Sequence, residues 1–117
     1  TLHVPHDRVT EHMMSHRGFE MMKPTAIFIN TCRGPVVDEN ALILALESNE
    51  LFGAGLDVTE IEPIENDNPL LTMDNVIITP HLATRAIESE WNGAQFTMDN
   101  AGRMVRGEDP EWIVKPV

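Results

Sequence analysis

With 117 residues, the chain has room for one domain around one hydrophobic core. Its 19 Asp and Glu against 8 Lys and Arg give a formal charge of −11, and an acidic surface repels phosphate backbones and anionic lipid, so nucleic acid and membrane surfaces are poor partners. No apolar run approaches the roughly 20 residues that span a bilayer, the N-terminus lacks a signal-peptide pattern, and a lone cysteine suits a reducing cytoplasm.

Thr1-Leu-His-Val-Pro5 reads as the end of a short strand, closed by a proline that cannot donate to a ladder. Thr10 is placed to cap a helical stretch that runs to Met22 and is interrupted at Gly18. Ala26 to Asn30 is continuously apolar before its final Asn, which predicts a strand covered on both faces, as in a parallel sheet. Asp38 is placed to cap the next helix, whose apolar face is Ala41, Leu42, Leu44, Ala45 and Leu46. Gly53 and Gly55 open a strand over Ala54 to Val58. Glu62 to Met73, with its prolines and acids, reads as a loop holding at most one turn. Val76 to Thr79 is another buried strand, and Thr84 to Arg106 a long helical run closed by Gly107. This alternation predicts an α/β fold, the C-terminal half of a Rossmann-like, doubly wound parallel sheet, followed by a long C-terminal helix. The chain has no initiator Met and opens inside the first strand, so a piece of a longer protein is expected.

Ligands in such sheets bind beyond the carboxyl ends of the strands. Arg33, Glu62 and His81 each stand just past a predicted strand end. Histidine titrates near neutrality, and a carboxylate beside it favours its protonated form and fixes its tautomer. Glu62 is the candidate neighbour, which would make His81 the proton carrier. Arg33 offers a planar fork of donors that matches a carboxylate bidentately. Together these groups suit proton movement at an oxygen beside a bound carboxylate. His12 and His16, four residues apart, form an alternative zinc-binding pair, but no Cys or well-placed acid completes the set, so no metal is expected. Cys32 has no local base partner and reads as a small residue that lets a ligand approach the backbone.

His3-Val-Pro5, Ile29-Asn-Thr-Cys-Arg-Gly34, Val37-Asp-Glu39 with Ala41-Leu42, Gly53-Ala-Gly-Leu-Asp-Val58, Glu62-Pro63 and Thr79-Pro-His81 follow one another along nearly the whole chain. In that order they resemble the successive motifs of the D-isomer-specific 2-hydroxyacid dehydrogenases. The resemblance implies an NAD- or NADP-dependent oxidoreductase acting on a 2-hydroxy or 2-keto acid. By position it implies that Arg33 binds the substrate carboxylate and carbonyl oxygen. It pairs Glu62, rather than Glu60, with His81, the proton donor. Asp57 would hold the nicotinamide carboxamide, and Val4, Pro5, Thr10, Thr31, Cys32 and Ala83 would line the cofactor, beside Arg33 and His81 themselves. Residues 1–83 would be the C-terminal portion of the NAD-binding domain, and 84–117 the helix and tail that return to a substrate domain.

Departures from the family pattern are Thr59, where an aromatic is usual, and Leu82-Ala-Thr-Arg-Ala86 after the histidine. No Gly-x-Gly-x-x-Gly and no ribose-reading residue occur, so only half of a cofactor site is expected. The isolated chain is therefore expected to bind dinucleotide weakly, to be inactive, and to form a homo-oligomer through its exposed first strand or an exchanged long helix. The reading from another class is a non-catalytic dimeric structural or binding module derived from the same half-fold.

Overall fold

Asp7 governs the first turn of the chain. Its Oδ1 accepts the backbone N–H groups of Val9 at 2.8 Å and Thr10 at 3.0 Å, while the Thr10 hydroxyl donates to the Pro5 carbonyl at 2.7 Å. Such side-chain bonds hold a local turn and compete with helix propagation. Thr10 therefore does not cap the helix expected of it. The first helix, α1, is His16–Glu20, with Ser15 at its N-cap position. Gly18 lies inside α1 instead of interrupting it. His12 stands in the preceding turn with φ of 48°. The i, i+4 helical pairing that a His12–His16 zinc site needs does not form.

A computed structural model describes residues 1–113. It divides into two units, Thr1–Ala83 and Thr84–Val117. In the first unit, strands β1 (Ile27–Asn30), β2 (Gly53–Leu56) and β3 (Val76–Ile78) form a sheet in that order, all parallel. Helix α2 (Glu39–Glu47) lies between β1 and β2 in the chain, and Asp38 caps it as expected, its Oδ1 accepting the Ala41 N–H at 3.0 Å. The predicted strand over Ala54 to Val58 ends earlier, at Leu56, although the Asp57 N–H still donates to the Asn30 carbonyl at 2.9 Å. The strand predicted from Leu2 is a single parallel bridge to Asn30, its N–H donating to the Ile29 carbonyl at 3.0 Å. The loop from Glu62 to Met73 holds more than the one turn expected: the Asn68 N–H donates to the Glu65 carbonyl at 3.0 Å, and the 3-10 segment Pro69–Thr72 follows.

The core lies on one face of the sheet. Phe28, Ala54 and Leu56 meet Phe19 of α1 and Ala41, Leu42, Ala45 and Leu46 of α2, all buried. Phe19 and Phe28 pack edge to face at 5.3 Å. Burying each such side chain contributes about 1.5–3 kcal/mol. Both helices of this unit pack on this face, and neither covers the opposite one. Ile27 is 57% exposed and Ile77 73%. The expectation that β1 is covered on both faces is thus not met.

In the second unit, α3 (Ile87–Val105) begins three residues later than Thr84, because Ala86 is extended (φ −101°, ψ 148°). Its end is a Schellman motif, with Gly107 at φ of 74°. The Glu108 N–H donates to the Arg103 carbonyl at 2.9 Å and the Gly107 N–H to the Met104 carbonyl at 3.1 Å. Glu88 and Glu90 in the first turn and Arg103 in the last complement the helix dipole. The last four residues of the tail predicted over 107–117 lie outside the described residues. No described helix is long and apolar enough to cross a membrane.

Candidate active site

Parallel strands deliver their following loops to one rim, and each of the three loops here carries a polar group. After β1, buried Asn30 organises the turn. Its Nδ2 donates to the Arg33 carbonyl at 3.0 Å, and its Oδ1 accepts the Cys32 N–H and thiol, each at 3.1 Å. Arg33 is exposed at the tip of this turn, and its Nη1 donates to the Cys32 carbonyl at 2.6 Å. Gly34 follows, buried. A Cβ there would stand 1.8 Å from the Thr59 carbonyl oxygen, so only the absence of a side chain lets the Arg33 turn lie against the loop after β2.

That second loop runs through buried Asp57, Val58 and Thr59 to Glu62. Thr59, the departure from the family pattern, turns its hydroxyl inward to the Ile61 carbonyl at 2.8 Å. After β3, Pro80 leads into His81, whose φ is 53°. This left-handed conformation is uncommon for a residue with a Cβ and persists only where surroundings enforce it. Here the His81 N–H is held by the Asp57 carbonyl at 2.9 Å and the Thr79 carbonyl at 3.0 Å. The result is the central contact of the site: His81 Nδ1 lies 3.0 Å from Glu62 Oε2, with both side chains partly open to solvent. His81 Nε2 has no hydrogen-bond partner among the described residues.

Asp57 ties the second and third loops together. Its Oδ1 accepts the Thr79 hydroxyl at 2.5 Å and the Leu82 N–H at 2.8 Å, and its Oδ2 accepts the Ala83 N–H at 2.7 Å. Burial pushes this carboxyl up. The Thr79 hydroxyl, the Ala83 and Leu82 N–H groups and nearby His81 outweigh it and hold the group below its ordinary 3.8. The segment 79–83, and with it His81, is thus fastened to the end of β2.

Three neighbouring cavities follow the rim. One of about 540 Å³ is lined by Glu62 and His81 together with Asp57, Thr79 and Pro80. The next, about 380 Å³, shares Asp57, Thr79 and Pro80 with it and adds Thr31, Leu82 and Ala83. A third, about 580 Å³, shares Thr31 and adds Val4, Pro5, Cys32 and Arg33. The shared residues make them one trough. Val4, Pro5, Thr31, Cys32, Asp57 and Ala83 all line it. Arg33 and the His81–Glu62 pair stand at its two ends, in separate cavities. Thr10 lines none of the three; its hydroxyl braces Pro5 from behind.

Sequence reasoning missed Asn30 and Thr79 as positioning residues. The signal for Asn30 was present, since a polar amide closing an apolar strand is left without a partner unless the next turn supplies one.

Comparison with known proteins identifies a family and solved relatives. Residues 1–83 match the model of the D-isomer specific 2-hydroxyacid dehydrogenase NAD binding domain. Glyoxylate/hydroxypyruvate reductase B of Cronobacter sakazakii is 49% identical over 107 residues, covering 92% of this chain and 33% of that protein. The Enterobacter sp. reductase of the same name is 47% identical over the same share. The chain thus spans only 33% of the length of these relatives. A D-isomer specific 2-hydroxyacid dehydrogenase from Xanthobacter autotrophicus Py2, solved with NADPH and MES, superposes with a TM-score of 0.86 at 42% identity, covering 97% of this chain and 46% of that one. D-lactate dehydrogenase with NAD+ from Lactobacillus jensenii gives 0.85 at 34%, covering 98% of this chain and 38% of that one. Residues 1–83, which carry His81, match the NAD binding domain of the D-isomer specific 2-hydroxyacid dehydrogenases, and the chain belongs to that family.

Proposed function

We propose that the protein carrying this chain is an NAD- or NADP-dependent oxidoreductase that interconverts a 2-hydroxy acid and its 2-keto acid, with His81 and Glu62 as its acid/base pair. The observation that carries this is the 3.0 Å contact between His81 Nδ1 and Glu62 Oε2 at the strand-end rim. A proton on Nδ1 donates to the carboxylate, which stabilises the imidazolium and leaves Nε2 to face substrate. Nε2 then gives its proton to the substrate carbonyl oxygen, or removes it from the hydroxyl in the reverse direction. Arg33 binds the substrate carboxylate, its guanidinium turning from the Cys32 carbonyl toward the ligand. Residues 84–117 return to a substrate domain.

The residues present fit the nicotinamide end of the cofactor. Val4, Pro5, Thr31, Cys32 and Ala83 offer a low-relief wall. Asp57 accepts three hydrogen bonds, which leaves one of its roughly four acceptor positions for a carboxamide N–H. Bound nicotinamide supplies or accepts the hydride. Reduction of glyoxylate and hydroxypyruvate, followed by NADH and NADPH absorbance, tests the reading. H81N is expected to lower kcat by on the order of 10²–10⁴, the contribution typical of a positioned acid. Undiminished turnover in H81N refutes it.

One observation favours the second reading, a non-catalytic homo-oligomeric module. Arg33 bonds its own backbone and shares no cavity with His81. Turnover by the wild-type protein excludes that reading.

A further inference from the structure

The loop that carries Glu62 is held by a polar assembly that proton transfer does not use. Glu60 and Glu39 are joined twice, each carboxylate accepting the other's backbone N–H. The Glu39 N–H donates to Glu60 Oε2 at 3.1 Å, and the Glu60 N–H to Glu39 Oε2 at 2.8 Å. The remaining oxygens are also engaged. Glu60 Oε1 faces His12 Nε2 at 2.9 Å, and Glu39 Oε1 accepts the Asn68 amide at 2.7 Å.

This placement has a physical reason. Glu39 is the first residue of α2, where N–H groups have no partner within the helix. Asp38 satisfies one of them, at Ala41, and Glu60 satisfies another. A carboxylate at a helix N-terminus is also favoured by the helix dipole. Between Glu60 and Glu62 stands Ile61, its carbonyl held by the Thr59 hydroxyl at 2.8 Å, and Thr59 itself presses on Gly34. The two acids divide their work by direction: Glu60 turns to α2, Glu62 to His81.

We propose that Glu60 is a positioning residue for the acid/base pair: by clamping residues 59–61 to the start of α2, it fixes where the Glu62 carboxylate stands and, through it, the ring of His81. This rests on the reading of Glu62 and His81 as partners. The clamp and that reading fail in different experiments, because the first can be observed without turnover.

Long-range 15N–1H spectra of the His81 ring in this chain report its tautomer. Wild type is expected to show a single Nδ1-protonated pattern. E60A is expected to lose it as completely as E62A does, with a dispersed amide spectrum retained. E60Q, which keeps an acceptor for the Glu39 N–H, is expected to restore it. A folded E60A with the wild-type His81 pattern overturns the proposal. Where E60A does not fold, H12A removes only the exposed partner of the clamp and is expected to shift the His81 signals in the same direction by less; unchanged signals overturn the proposal. In the turnover assay, E60A is expected to lower kcat about tenfold with KM nearly unchanged, and to add almost nothing in an E62A background, as coupled residues do. Equal losses in both backgrounds would show that Glu60 acts independently of Glu62.

Discussion

Gly34 is the point where two loops of the site touch, and Gly34→Ala tests that contact. A Cβ at this position would lie 1.8 Å from the Thr59 carbonyl oxygen, 2.2 Å from its carbon and 2.7 Å from the Glu60 nitrogen. To reach even 3.0 Å, the Thr59 carbonyl must retreat by 3.0 − 1.8 = 1.2 Å. All three clashing atoms are backbone, so no flexible side chain can yield. Overpacking a filled site costs about 1–3 kcal/mol, and a rigid neighbour puts this case at the upper end. A loss of about 3 kcal/mol is a large share of the 5–15 kcal/mol that holds a typical domain. At roughly 4–8 °C per kcal/mol for a domain of this size, the melting point falls by at least 12 °C. Gly55→Ala is the control: its nearest neighbour is Ile29 Cγ1 at 3.8 Å, an ordinary contact, so its stability should stay within about 1 kcal/mol of wild type. Urea unfolding followed by far-UV circular dichroism compares the three proteins. If G34A unfolds within about 0.5 kcal/mol of wild type, or G55A proves the worse, the argument for a space-limited contact fails.

The remaining predictions concern charge and helix propensity. Asp57 titrates below its ordinary 3.8 in the fold, so its bonds to Thr79, Leu82 and Ala83 are fully present above that value. They are lost as pH falls through the lowered one. Amide shifts of Leu82 and Ala83 followed down from pH 5 should move together below 3.8, and independent movement above it would contradict the assignment. The hydrogen bond to Glu60 raises His12 above its ordinary 6.5, so the contribution of this contact is complete below 6.5 and lost as pH rises through the raised value. The loss should be small, because His12 is 45% exposed on its side chain. The pH dependence of stability should therefore flatten in H12A, and an unchanged profile would count against the contact. Gly93 sits in α3 with nothing within 4 Å of a Cβ, so G93A should raise helix stability by about 1 kcal/mol. A drop in helical ellipticity would show that this position is occupied.

The rim was legible because polar residues punctuate apolar strands. Arg33, Glu62 and His81 stand past strand ends in the sequence as in the fold, whereas Asp57, expected inside a strand, lies just beyond the end of β2; His81 and Glu62 meet at 3.0 Å. What stayed hidden depends on pairs far apart in the chain. Asp57 meets Ala83 across 26 residues, and Glu60 meets His12 across 48. No periodicity encodes such meetings. The first helix starts later than the sequence suggests for a local reason: Asp7 holds the N–H groups of Val9 and Thr10 in a turn. The bare face of β1 reads in the sequence as buried because its apolar run marks a surface suited to cover, whatever element supplies that cover.

The account stands on the strand-end trough as the place where nicotinamide dinucleotide binds. Titrating this chain with NADPH and mapping amide shifts tests that most directly. The account predicts weak binding, with Thr31, Asp57, Leu82 and Ala83 moving together while Phe52 and Asn75, at the amino ends of β2 and β3, stay still. Shifts centred on Phe52 and Asn75, or none along the rim at millimolar nucleotide, would contradict it.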